Sequence, residues 1–148
     1  MPFSGRARRS PPVSRPTRRV ATSILLHGDR ILILKRSAAV GSFQHHWSGV
    51  SGFVETGEEP LETSQREVEE ETGISRASLE LLARAPPRLT EKPDRIFEVH
   101  SFLYRCATDR VQLDWENDEF AWVAPEALRD YRTVPWLPEM VSTLMAEQ

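Results

Sequence analysis

Four carboxylates crowd the stretch Arg66-Glu67-Val68-Glu69-Glu70-Glu71-Thr72, barely more than one helical turn. In a helix, Glu67, Glu70 and Glu71 stand at i, i+3 and i+4 and share one face, while Glu69 points elsewhere. Like charges at that spacing repel by about a few tenths of a kcal/mol per pair, and anions in a last helical turn oppose the helix dipole. A hard divalent cation removes the conflict: Mg²⁺ takes carboxylate and water oxygens and leaves positions open for substrate phosphates. Arg66, spaced at i±4 from Glu62 and Glu70, can hold a carboxylate in place. The bland alternative is a solvated acidic face, which a charge run on a helix commonly is.

The elements that must position this turn can be read from periodicity and punctuation. Pro60 suits a first helical position, Leu61 and Val68 share a face and Gly73 suits a C-terminal stop, so the pattern from Glu58 to Thr72 predicts a helix. Upstream, RVATSILLHGDRILILKR predicts two antiparallel strands around a Gly28-Asp29 turn. Residues 37–45 form a loop, and HWSGVSGF is a short glycine-punctuated strand whose backbone comes close to something. Downstream, SLELLARA and RIFEVHSFLYRC are strands, with PPRLTEKPD a proline-broken loop between them. VQLDW and EFAWV are strand candidates flanking the acidic residues 116–119, and PEALRDY and Pro138 to Met145 are helices. Hairpins and a few helices without regular βαβ alternation indicate an α+β fold, an α/β/α sandwich on a mixed sheet.

From Gly52 the chain runs GFVETGEEPLETSQREVEEETGI. This resembles the signature of the Nudix hydrolases, G-x5-E-x7-R-E-U-x-E-E-x-G-U with U aliphatic, and every specified position matches. The resemblance implies an α/β/α sandwich whose mixed sheet is flanked by helices. It implies a hydrolase, dependent on Mg²⁺ or Mn²⁺, that splits the pyrophosphate link of a nucleoside diphosphate derivative by water attack at phosphorus. Glu67, Glu70 and Glu71 are then metal ligands, with a backbone carbonyl near Gly52 brought to the same ion and Arg66 orienting the cluster. A further carboxylate is expected shortly before a strand bearing Trp. Glu116, six residues ahead of Trp122, is the first choice for ligand or general base, and Glu119 the alternative. The catalytic set is thus Glu70, Glu67, Arg66 and Glu116. Lys35, Arg36, Phe53 and Glu58 are the substrate-binding group, Glu58 also supporting the metal cluster directly or through water.

The substrate itself is not legible. Members of the family that take ADP-sugars or dinucleoside polyphosphates tend to carry a Pro or Tyr in a window occupied here by Leu89 to Lys92, so neither subgroup is supported. A weaker resemblance, over VGSFQHHWSGVSGFVETGE, LDWENDEFAWVAPEAL and TVPWL, is to Nudix domains fused to translation initiation factor 2B-like domains. The rival functional class is a Nudix module that senses a nucleotide or contacts a protein without turnover; a degraded signature would favour it, and this one is intact.

Composition bounds what remains. A chain of 148 residues, 39% hydrophobic and 28% charged, suits one globular domain, expected over residues 20–148. No apolar run approaches the roughly 18 residues of a membrane span. The net charge of −3 hides an asymmetry: residues 1–19 carry six arginines and no acid, leaving the body at about −9. An acidic body argues against nucleic acid as the partner and leaves a small molecule, with a homodimer open. The Arg-, Ser- and Pro-rich residues 1–19 read as a disordered tail or a targeting segment, so the expected compartment is the cytoplasm, or an organelle if the tail is an address. Cys106 is alone, so no disulfide closes within the chain, and its apolar strand makes it a buried residue rather than a nucleophile. His45 and His46 lack a third nitrogen or sulfur ligand at sensible spacing and are surface or core-edge residues. Phe43, Trp47 and Phe53 could stack on a nucleobase, although aromatics in short strands are more often core.

Overall fold

The computed structural model describes residues 15–148. The expectation for the basic segment therefore lies, for its first fourteen residues, outside the described residues. Its last five are in the fold: Arg15 pairs with Glu91 at 2.7 Å, the Pro16 carbonyl accepts from the Ile96 N–H, and the first strand begins at Thr17.

The longest strands, β1 (Thr17–His27) and β7 (Ile96–Cys106), run parallel side by side. β2 (Arg30–Arg36) returns antiparallel beside β1 across the Gly28-Asp29 turn, with His27 opposite Arg30 as the hairpin signal requires. Two short strands follow, β3 (Trp47–Ser48) on β2 and β4 (Val50–Phe53) on β1. β5 (Leu79–Arg84) and β6 (Arg88–Glu91) both pair with β7, and β8 (Asn117–Val123) pairs with β2, completing one mixed sheet of eight strands.

Alternation along β1 and β2 divides the core between two helices. Ala21, Leu25, Leu32 and Leu34 pack with Val68 and Ile74 beneath α1 (Pro60–Thr72). Ile24, Leu26, Ile31 and Ile33 pack with Leu137, Val141 and Leu144 of α2 (Leu137–Glu147) on the other face. The expected three-layer α+β sandwich is what forms. No helix among the described residues is long and apolar enough to cross a membrane.

Local details differ from the sequence reading. Arg88–Glu91 is a strand, not a loop: its four residues are all exposed, and only antiparallel pairing with Ile96–Val99 of β7 orders them. Residues 111–115 form no strand, and β8 begins inside the acidic run at Asn117. Pro125–Asp130 winds as a 3₁₀ turn rather than an α-helix, too short to close several i→i+4 bonds. α1 starts at Pro60, with the Glu59 N–H donating to Glu62 Oε1 at 2.9 Å, and ends at Gly73, whose φ of 76° suits glycine and lets its N–H reach the Glu69 carbonyl.

Candidate active site

α1 packs on the sheet with an unusual stripe. Ser64, Val68 and Thr72 face inward, and the two hydroxyls return to the backbone of their own helix, Ser64 Oγ to the Leu61 carbonyl and Thr72 Oγ1 to the Val68 carbonyl. Ser64 also meets the Tyr104 hydroxyl at 2.5 Å, tying the helix to β7. This docking splits the acidic turn into two adjacent rows at i,i+4 spacing. Glu67 and Glu71 turn toward the sheet, while Arg66 and Glu70 lie on the solvent side. The Glu67 side chain is 12% exposed and the Glu70 side chain 54%.

Gly52 of β4 makes room for the inner row, since a Cβ there would run into the Glu67 carboxylate. The third member comes from the loop before β8. One carboxylate oxygen from each of Glu67, Glu71 and Glu116 falls within 4.8 Å of the others. Ser37, just beyond β2, anchors that loop: its N–H donates to the Glu116 carbonyl at 2.8 Å and its Oγ to the Trp115 carbonyl at 2.9 Å. The Glu116 N–H donates to Asp114 Oδ1 at 3.1 Å.

Glu71 is the extreme case. The residue is 3% exposed; Oε1 accepts from Asn117 Nδ2 at 3.3 Å, and Oε2 is buried without a hydrogen-bond partner. Burial, followed by the charges of Glu116 and Glu67, pushes its carboxyl well above the usual carboxylate range. Burial likewise raises Glu67 and Glu116, the latter also through Asp114. A buried acceptor left unmade costs about 1–3 kcal/mol, more when charged. An all-oxygen set with one orphaned buried atom fits a hard divalent cation.

Arg66 holds the arrangement from the solvent side. Its Nε donates to Glu58 Oε2 at 2.7 Å and its Nη2 to Glu58 Oε1 at 3.0 Å, a two-point grip that Lys cannot make. Its Nη1 reaches Glu67 Oε2 at 3.2 Å and Glu70 Oε2 at 3.3 Å. The Arg66 hydrogen bonds hold the Glu58 carboxyl down at about 2. Glu58 in turn closes its own loop, accepting from the Glu55 N–H and from Thr63 Oγ1.

The Nudix domain model matches residues 17–144. The chain belongs to the Nudix family. A Caenorhabditis elegans Ap4A hydrolase is similar in fold, with TM-score 0.73 and 21% identity over 87% of this chain and 96% of that one. So is an Escherichia coli protein described as ORF135, with TM-score 0.72 and 24% identity over 93% and 94%. In sequence, an octanoyltransferase of Myxococcus xanthus is 35% identical over 102 residues, 67% of this chain but only 28% of that longer protein.

The Nudix fold brings Glu67, Glu71 and Glu116 together, with Gly52 against the Glu67 carboxylate and Arg66, gripped by Glu58, on the solvent side. Glu70 stands outside the trio, yet its charge contributes to raising both Glu67 and Glu116. Arg36 borders the cluster, its charge easing Glu116 while its Nε holds the Ser42 carbonyl at 2.9 Å. Lys35 points to the other face of β2 and pairs at 3.3 Å with Glu119, its cross-strand neighbour; Glu119 does not join the trio. Phe53 follows Gly52 and so projects from the opposite face of β4. There it stacks on Phe97 beneath the Arg18 guanidinium, and only its carbonyl meets Arg66. His46 Nδ1 meets the Gln44 carbonyl on the surface, and burial pushes the Cys106 thiol up to about 12. Sequence reasoning passed over Ser37, Asp114 and Asn117; an Asn and an Asp flanking Glu116 were a visible signal, whereas Ser37 had none.

Proposed function

We propose that the chain is a divalent-metal-dependent hydrolase that cleaves the pyrophosphate linkage of a nucleoside diphosphate derivative by water attack at phosphorus. The observation that carries this reading is the Glu67–Glu71–Glu116 cluster with its buried, unpartnered Glu71 oxygen. Glu67, Glu71 and Glu116 would hold Mg²⁺ or Mn²⁺ from the protein side, with Glu70 joining from the side that water and phosphate enter. When bound, such an ion neutralises charge developing on the phosphate oxygens and acidifies a water. Arg66 keeps Glu67 and Glu70 oriented through its grip on Glu58, and Gly52 leaves Glu67 its space. Arg36, at the end of β2 and beside the cluster, is the cation we assign to the substrate's phosphates, whereas Lys35, on the other face of β2 and paired with Glu119, is set aside. The setting we assign is the cytoplasm, with a small molecule as partner.

The test incubates the purified protein with (d)NTPs, ADP-ribose, dinucleoside polyphosphates, NADH and nucleotide sugars, with Mg²⁺ or Mn²⁺, and measures phosphate, pyrophosphate and nucleoside monophosphate. Release abolished by chelator and restored by added metal is the expected result. Metal-independent release, or silence across the whole panel, would overturn the reading.

A further inference from the structure

We infer that Asn117 is a positioning residue that confines Glu71 to one metal-facing oxygen and so raises the cluster's preference for Mg²⁺ over Ca²⁺, a role that rests on the divalent-metal reading of the same cluster.

Regular strand alternation would turn Asn117 away from α1. Glu119, two residues on, lies beside Lys35 on the other face, and residues two apart in a regular strand share a face. β8 breaks that rule. Lys35 pairs with Glu119 but Arg36 with Asn117, so one step along β2 meets two along β8, a bulge with Asp118 as its extra residue. Bulges of this kind give up a ladder position and re-aim a side chain. Here the bulge brings the Asn117 amide, in a residue only 7% exposed, onto Glu71, with Nδ2 donating to Oε1 at 3.3 Å.

The chemistry of that donor sets its effect. Glu67 is paired with the Arg66 guanidinium, whereas Glu71 receives, among the described residues, only this neutral amide. A cation at the same place would cancel the charge an ion needs; an amide occupies one oxygen and leaves the charge intact. With Oε1 engaged, the buried and unpartnered Oε2 is the atom left for the ion. One oxygen from the carboxylate suits Mg²⁺, which demands near-octahedral geometry at short distances, while Ca²⁺ has a larger, looser shell and readily takes a carboxylate by both oxygens. Capture of Ca²⁺ by both Glu71 oxygens would break the Asn117 bond and leave a buried donor unmade.

The test titrates the full chain with Mg²⁺ alone and with Ca²⁺ alone, following calorimetry and the metal-induced shift in melting temperature. Asn117→Leu is expected to weaken Mg²⁺ roughly tenfold and Ca²⁺ far less, so the ratio of the two dissociation constants moves about tenfold toward Ca²⁺. Asn117→Ala, which removes the amide without adding volume, should move the ratio in the same direction. Leu144→Ala, which loosens the core on the other face of the sheet, should leave it unchanged. That control separates positioning from loss of stability. An unchanged ratio in the Asn117 variants, or an equal change in Leu144→Ala, overturns the inference. If the wild type binds metal and hydrolyses a nucleotide in a chelator-sensitive way while the ratio stays fixed, only the role of Asn117 falls. A wild type that binds neither ion overturns that role and the metal-dependent hydrolase reading together.

Discussion

The two helices cover opposite faces of one sheet and do it with different chemistry. α2 buries Leu137, Val141 and Leu144, an i, i+4, i+7 apolar stripe whose work is packing. α1 buries Thr63, Ser64, Glu71 and Thr72 around Val68, with Pro60 at its start. A helix selected only for stability would not place a carboxylate at 3% exposure with an oxygen unpartnered. The difference separates the face that holds the fold together from the face that gives up stability for a site.

The sharpest way to break that contrast is Glu71→Gln. Activity should fall on the order of 10³-fold, since a metal's charge stabilisation is worth several kcal/mol. The metal-free melting temperature should hold or rise, because a buried charge has gone, and the rise on adding Mg²⁺ should vanish. Differential scanning fluorimetry with and without Mg²⁺, beside a kinetic assay, reads both; a large loss of metal-free stability would make α1 an ordinary packing helix. Leu144→Ala in α2 should do the reverse. It should cost about 2–5 kcal/mol in urea unfolding, with kcat and KM of the folded protein unchanged.

The pH dependence of stability sharpens the comparison further, because the Arg66–Glu58 grip belongs to α1 alone. Glu58 titrates at about 2 in the fold against an ordinary 4.5. Between those values the unfolded chain binds the extra proton, so the stabilisation is full above about 4.5 and is lost as pH falls toward 2. Urea midpoints at pH 6, 4 and 3 should therefore fall less steeply in Glu58→Gln than in the wild type. Smallest of all is Glu69→Gln, on the exposed side of the acidic turn, where kcat/KM should stay within about twofold and stability within about 0.5 kcal/mol.

Much of this was legible because it is local. The spacing from Gly52 to Ile74 announces a loop and helix by Pro60, Gly73 and periodicity, and Gly28-Asp29 announces a hairpin. β6 was hidden because its residues, between prolines and all exposed, carry no burial pattern and are ordered only by β7. Glu67, Glu70 and Glu71 looked equivalent at i, i+3 and i+4. Only the sheet, cutting across that face, buries two of them and leaves Glu70 in water with Arg66. Phe53 was expected in the substrate-binding group as an aromatic able to stack on a base, yet strand alternation sends its ring to the face opposite Gly52, against Phe97 and Arg18.

By itself, then, the sequence determined the signature helix, its acidic turn, the arginine that steadies it and the family to which they belong, all matters of spacing along one segment. Which carboxylates converge, and what stands beside them, was decided by tertiary structure. Glu116 and Asn117 meet α1 only because β8 pairs with β2, Ser37 anchors the loop before β8 and that loop folds over the helix end, long-range contacts that no local pattern encodes.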